Sequence, residues 1–348
     1  MSAIIPSRKP DLDNFPSTPS APAAPLTDGN ARVKPITIAA GDETYGTLNQ
    51  LRLNNKYYQI GVSEGQGERK TMEDSYGFIV DYGGIRGQGL FAIFDGHGNK
   101  LAAEWCGDNF HKHLKRQLEE NPNANIKKEV FPAMFESMDN DLSELSQADA
   151  NMATSGCTAA IAFLKVEDKK LAKISSESLP TSRAALDPPA SAKRFLYCAN
   201  VGDTRVVLSR GRKAERLTLD HKVTEGSEIE RIRDLKGLIF RGRVLGYLNL
   251  TRSLGNHEAF EGFSMKKYII GTPYTTKTKL TPEDEFFILA CDGLWDVMTD
   301  QEAVDLIYDE EDPEKASQML RDKAFEKYTH DNVTVMVVRL PKNTGNSE

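Results

Sequence analysis

Cysteine is scarce in this chain of 348 residues: Cys106, Cys157, Cys198 and Cys291 are the whole set. They stand far apart and form no CxxC pair, which argues against a disulfide framework and against a zinc knuckle. Three of them sit inside apolar runs (CTAAIAFL, FLYCANV, FFILACDG), where a reduced thiol behaves as a small hydrophobe. A cytoplasmic chain, possible also in the nucleus, is the expectation. Positive charge is in deficit as well, with 44 Lys and Arg against 51 Asp and Glu and a net charge of −7. Such a balance does not suit a nucleic-acid backbone or an anionic membrane surface. No apolar stretch reaches the length of a membrane span, and residues 1–30 contain no apolar core of a secretory signal.

What the chain does have is segmented. Residues 1–45 are rich in Pro, Ser and Ala, and such a segment cannot bury enough apolar surface to offset its chain entropy. A disordered tail is expected there and another over 342–348, with one folded domain over 55–341. Ordered sequence starts near Tyr57. Strand-like runs follow at 75–80, 89–94, 159–166, 195–200, 205–209, 286–290 and 333–340, rich in Val, Ile, Phe and Leu and bounded by Gly, Asp and Asn. Helical spacing of apolar residues marks 101–119, where Ala102, Trp105, Phe110, Leu114 and Leu118 recur, and 131–145. It recurs at 225–235, 301–308 and 313–327. The polar stretch 167–193 divides two strand-like runs and reads as a flexible hairpin insertion. Strands that pair mostly in sequence, with helices in blocks, favour α+β layering over a parallel βαβ sheet.

One pattern carries chemistry. An apolar run ends abruptly in Asp-Gly at Asp95 (LFAIFDGHG) and again at Asp292 (FFILACDGLWD). Asp203 stands in a Gly-Asp turn between two strand-like runs, and Asp331 just before a strand. Each alone reads as a turn. Together, on one rim of a sheet, they would gather carboxylates that repel one another and demand a counter-ion. Oxygen ligands suit Mg2+ or Mn2+. Zinc would want His or Cys, and the nearest candidate, His111 and His113, is two residues apart on a helix; these read as surface histidines. His97 follows Asp95 in DGHG and offers a titratable imidazole, while Gly96 and Gly98 allow close backbone approach. GERKTMEDSYGF adds Arg69, whose donor fork matches phosphate oxygens, and the adjacent carboxylates Glu73 and Asp74.

RKTMED, FAIFDGHGN, SGCTAA, CANVGDTRVV, LTLDHK, LGYLNLTRSLGN, ACDGLWD and DNVTVMVV occur in that order. In this the chain resembles the metal-dependent type 2C (PPM family) serine/threonine protein phosphatases, the small fungal enzymes above all. The resemblance implies a four-layer sandwich, two central antiparallel β-sheets flanked by α-helices on both sides. It implies hydrolysis of phosphoserine and phosphothreonine by a hydroxide bridging two Mg2+ or Mn2+ ions. Asp95 would bridge both metals, Gly96 would lend a carbonyl to one, and Asp292 and Asp331 would complete the other metal's shell. Glu73 and Asp74 would hold metal-bound waters, and Asp203 would serve a weaker third metal. Arg69 would clamp the phosphate and His97 would protonate the leaving alkoxide. Phosphorylated proteins, stress-pathway kinases among them, are the implied partners of a monomer.

The chain departs from that pattern at Asn99, at Val223 in DHKV, at Leu245, and at Asn256, where LGN replaces the family's LGD. These bear on flap conformation and substrate preference. A catalytically inactive relative, a binding scaffold, predicts loss of a metal carboxylate, yet Asp95, Asp292 and Asp331 are all present. A hydrolase of small phosphate esters would share the metal centre. A cysteine-nucleophile phosphatase is disfavoured, because Arg205 lies one position too far from Cys198.

Overall fold

All six residues of GLFAIF at 89–94 are buried, as are all seven of VTVMVVR at 333–339. Strands that read as continuous apolar runs must be covered on both faces. Residues 57–168, 188–189, 191–257 and 265–341 are described by the computed structural model. The expected tails and most of the 167–193 insertion lie outside the described residues.

One five-stranded sheet runs in the order β1 (Gln59–Gly65), β15 (Val333–Arg339), β14 (Asp284–Ala290), β8 (Arg205–Arg210), β9 (Lys213–Arg216). The other runs β13 (Tyr274–Lys279), β7 (Lys193–Val201), β6 (Ala159–Glu167), β3 (Gly89–Phe94), β2 (Ser75–Val80). Every pairing in both is antiparallel. A short third ladder joins β12 (Leu254–Gly255), β5 (Gly156–Cys157) and β4 (Gly96–His97), and β10 (Ile239–Phe240) pairs with β11 (Arg243–Val244). The helices are α1 (Leu101–Glu120), α2 (Phe131–Ala148), α3 (Ala150–Thr154), α4 (Gly226–Asp234), α5 (Asp292–Trp295), α6 (Asp300–Ile307) and α7 (Pro313–Glu326).

Side-chain alternation along each strand sorts the layers. Phe91 and Ile93 face the opposite sheet, where they share a core with Phe287, Leu289, Met336 and Val338. Phe91 and Phe287 meet edge-on, 5.5 Å between ring centres. Leu90, Ala92 and Phe94 face the other way, onto Phe110 and Leu114 of α1 and Met134 and Phe135 of α2. Phe286, Ile288, Val335 and Val337 bury against Val304 and Ile307 of α6 and Leu320 of α7. The result is helix–sheet–sheet–helix, the α+β layering that the sequence predicts. Local chemistry sets the helix starts: Thr299 and Glu302 form a reciprocal capping box for α6, and the Asp312 carboxylate caps α7 ahead of Pro313.

The sequence reading misses β9 and β13, which are edge strands carrying Lys and Thr (YTTKTK) rather than apolar runs. It also errs on His111 and His113, which are buried at 7% and 5% exposure. His113 lies between α1 and α2, Nδ1 3.0 Å from Ser137 Oγ and Nε2 3.4 Å from Asp141. A 20-residue helix wedged between a sheet and another helix buries more than one stripe, so positions two apart can both be covered. Among the described residues no helix is long and apolar enough to cross a membrane.

Candidate metal centre and catalytic cleft

Three of the candidate carboxylates, Asp95, Asp203 and Asp292, sit just past the end of a strand. β3 ends at Phe94, and Asp95 is held in place by Thr158, whose N–H donates to Asp95 O at 2.8 Å. β7 ends at Val201, Gly202 turns at φ 82°, and Asp203 follows. β14 ends at Ala290, and after Cys291 the next residue, Asp292, opens α5. Two of these strands belong to one sheet and the third to the other, so the rim of the sandwich gathers all three. One carboxylate oxygen from each of Asp95, Asp203 and Asp292 lies within 4.8 Å of the other two.

Burial and mutual repulsion dominate the electrostatics. Burial pushes the Asp95 carboxyl well above its ordinary range, and Asp292, Asp74, Asp203 and Asp331 push further the same way. Asp292 is raised well above its range by burial and then by Asp203, Asp296 and Asp331. Asp74, at the mouth of β2, is raised to about 6 by burial, although the Thr334 hydroxyl donates to it at 2.7 Å. Asp203 is likewise raised to about 6 by burial, with Lys222 pulling the other way. Lys222 Nζ lies 3.4 Å from Asp203 Oδ2 and 2.6 Å from Asp296 Oδ1. Among the described residues Asp203 Oδ2 has no well-formed hydrogen bond beyond this ion contact. A buried carboxylate oxygen left unsatisfied amid like charges fits a site that takes hard cations.

The other expected residues line the same rim with different partners. Arg69 Nη2 donates to Asp331 Oδ2 at 2.6 Å, so the charge of Asp331 reaches Asp95 and Asp292 while its side chain is paired elsewhere. Glu73 is half-buried and accepts from Thr71 Oγ1 at 2.8 Å. Gly96 must be glycine, because a Cβ there would fall 2.4 Å from Glu73 O. His97 Nε2 lies 2.8 Å from Asn256 Oδ1, which also accepts from Ser253 Oγ at 2.8 Å, and burial lowers the imidazole pKa.

Three contributors escaped the sequence reading. Asn332 donates to Gln66 O at 2.8 Å and Thr71 O at 3.1 Å and accepts from Glu73 N at 2.9 Å, fastening the Arg69 loop to the start of β15. Gly156 leaves room for His97 and Asn256, since a Cβ there would lie 2.1 Å from Asn256 Oδ1 and 2.5 Å from His97 Nε2. Lys222 neutralises part of the acidic cluster. Only DNV, GC and DHK stand in the sequence at these places, and no spacing rule links them to the aspartates.

This architecture defines a known class. A crystal structure of serine-threonine phosphatase 2C from Toxoplasma gondii shares the fold, with TM-score 0.62 over 82% of this chain and 95% of that one, at 19% identity. The sequence carries the assignment further. Protein phosphatase 2C homolog 1 of Saccharomyces cerevisiae is 39% identical over 288 residues, 81% of this chain and 94% of that protein. Protein phosphatase 2C homolog 1 of Schizosaccharomyces pombe is 33% identical over 324 residues, 91% and 84% of the two chains. Residues 58–333 match the family described as Protein phosphatase 2C, and the chain belongs to that family of serine/threonine phosphatases. Membership makes it a phosphoprotein phosphatase, a hydrolase by class.

Proposed function

We propose that this cleft hydrolyses phosphoserine and phosphothreonine in proteins with two divalent cations, Mg2+ or Mn2+, and a weaker third. The observation that carries the reading is the convergence of Asp95, Asp203 and Asp292 within 4.8 Å on the rim of the sandwich. We assign Asp95 and the Gly96 carbonyl to the shared metal position and Asp292 with Asp331 to the second. Glu73 and Asp74 act through water, and Asp203 serves the weaker site. When bound, such cations make water a nucleophile at neutral pH and offset the charge of the phosphoryl oxygens.

The chain's own side chains do the rest. Arg69, 58% exposed, exchanges Asp331 for the substrate phosphate, which its fork can bind bidentately. His97 gives a proton to the departing seryl or threonyl oxygen, a poor leaving group as the bare alkoxide. Asn256 fixes the ring through Nε2, which sets which nitrogen is free to act. Phosphorylated proteins are the proposed substrates, kinases of stress cascades among them, in the cytoplasm or nucleus. Turnover of a phosphothreonine peptide should require added Mg2+ or Mn2+ and cease with EDTA. Turnover that persists without metal would refute the reading.

A further inference from the structure

The segment between Lys222 and Asn256 leaves and rejoins the cleft at two fixed points. Lys222 pairs with Asp203 at one end and forms a bridge with Leu250, while Val223 N donates to Asn249 O at 3.2 Å. Asn256 holds His97 at the other end, at 2.8 Å. The excursion has a small core of its own, in which Ile232 and Val244 meet Met265 and Ile269. Glu228 ties its helix α4 to the returning chain through Arg252 at 2.6 Å. A flap is thereby rooted beside both the acidic trio and the imidazole.

The outer surface of that flap is unusual for this chain. Leu238 is 62% exposed, Phe240 53% and Tyr247 43%, three of the seven large hydrophobics that stand exposed among the described residues. They share a stretch of ten positions. Arg233, Lys236, Arg241 and Arg243 are exposed in and beside that stretch, against the exposed acids Glu230 and Asp234. The β10–β11 hairpin displays Phe240, Arg241 and Arg243: Phe240 pairs with Arg243, and the turn residues Arg241 and Gly242 have φ of 50° and 69°. Arg241 lies 5.2 Å over the Phe240 ring. Exposed aromatics mixed with arginine are the composition of binding hot spots, not of ordinary solvated surface. A cationic patch on a chain of net charge −7 selects an anionic partner.

We infer that this hairpin is a docking surface for the polypeptide flank of the phosphoprotein substrate, and that it selects flanks combining acidic with large apolar side chains. The inference rests on the phosphatase reading above. Phe240 and Leu238 supply the apolar contact, and Arg233, Lys236 and Arg241 supply the charge. The occupant is the substrate's own chain, because the patch is rooted at the cleft that must receive its phosphate.

Three substrates test this. p-Nitrophenyl phosphate has no flank to dock. One phosphothreonine peptide carries Glu and Leu in its flanks, and a second of equal length carries Lys and Ser there. The wild-type chain should prefer the Glu/Leu peptide by about tenfold in kcat/KM. Phe240→Ser combined with Arg241→Glu should reduce that preference to about twofold or less, through KM, and leave p-nitrophenyl phosphate turnover unchanged. Arg233→Glu with Lys236→Glu should act in the same direction. A wild-type enzyme without preference, or a preference kept by both double variants, overturns the inference. So does loss of p-nitrophenyl phosphate turnover in both, which would make the patch part of the cleft's architecture. A wild-type chain inert on p-nitrophenyl phosphate with Mg2+ and Mn2+ sinks the phosphatase reading itself, a separate result.

Discussion

Arg69 and Asp331 are paired to one another, Nη2 to Oδ2 at 2.6 Å, across 262 positions of sequence. The guanidinium proposed to bind phosphate and a carboxylate proposed to bind metal thus satisfy each other. The pair is half open to water, with Arg69 58% and Asp331 33% exposed, and exposed pairs are worth about 1 kcal/mol at most. Either ligand, cation or phosphate, can displace it.

Removing the cation side of this pair therefore has two opposite effects. Arg69→Ala should tighten divalent-cation binding, measured by calorimetry without substrate, by up to about fivefold, the equivalent of that 1 kcal/mol. It should also lower kcat/KM for a phosphothreonine peptide by about ten- to hundredfold, through the lost charged hydrogen bonds. Unchanged metal affinity would show that the pair does not compete.

Asp292→Asn separates ligation from folding. It removes a charge from the trio, so kcat should fall at least a hundredfold, about 3 kcal/mol of barrier. In EDTA the same variant should unfold at higher temperature than wild type. Burial, Asp203, Asp296 and Asp331 all disfavour the ionised carboxylate, and the neutral amide removes that charge. A variant that keeps kcat within about tenfold of wild type contradicts the assignment.

Gly156→Ala probes the imidazole without touching it. The added Cβ would meet Asn256 Oδ1 at 2.1 Å and His97 Nε2 at 2.5 Å, so both must shift. A displacement of this size should lower kcat about a hundredfold. Metal affinity should stay near wild type, because the acidic trio lies on other strand ends. Equal loss of both would place Gly156 in the metal site instead.

Glu228 sets an acid limit on stability. Burial alone would raise its pKa, but Arg252 and Arg231 outweigh burial and hold it at about 2. A folded-state pKa below the unfolded one means that the stabilisation is complete above the ordinary glutamate value of about 4.3. It is lost as pH falls from there towards 2. Glu228→Gln should destabilise the chain by about 3 kcal/mol at neutral pH, leaving two guanidinium groups short of an acceptor. It should also flatten the fall of melting temperature between about pH 5 and 2. A parallel fall in both proteins would exclude this ion pair as the cause.

Much of the architecture is local and therefore legible in the sequence. Apolar runs of strand length, helical spacing at Phe110, Leu114, Met134 and Phe135, and the abrupt ends at Asp95 and Asp292 all reflect nearest-neighbour geometry. Edge strands such as β13 have no such signal, because one side of the ladder faces water and tolerates YTTKTK. Burial of His113 was also invisible, since it depends on what α2 brings against α1.

By itself the sequence determined where the carboxylates stand along the chain, that Asp95 and Asp292 follow the ends of apolar strands, and that hard cations are their natural counter-charge. Only the tertiary structure decided which of them meet. Asp203 joins Asp95 and Asp292 in the tight trio, while Asp331 turns to Arg69. The same is true of the Asn332 ties, of Asn256 behind His97, and of the cationic aromatic tip of the flap. Periodicity is written in neighbours a few residues apart. Charge pairing depends on strand register and loop closure between residues hundreds of positions apart, and no local pattern encodes that.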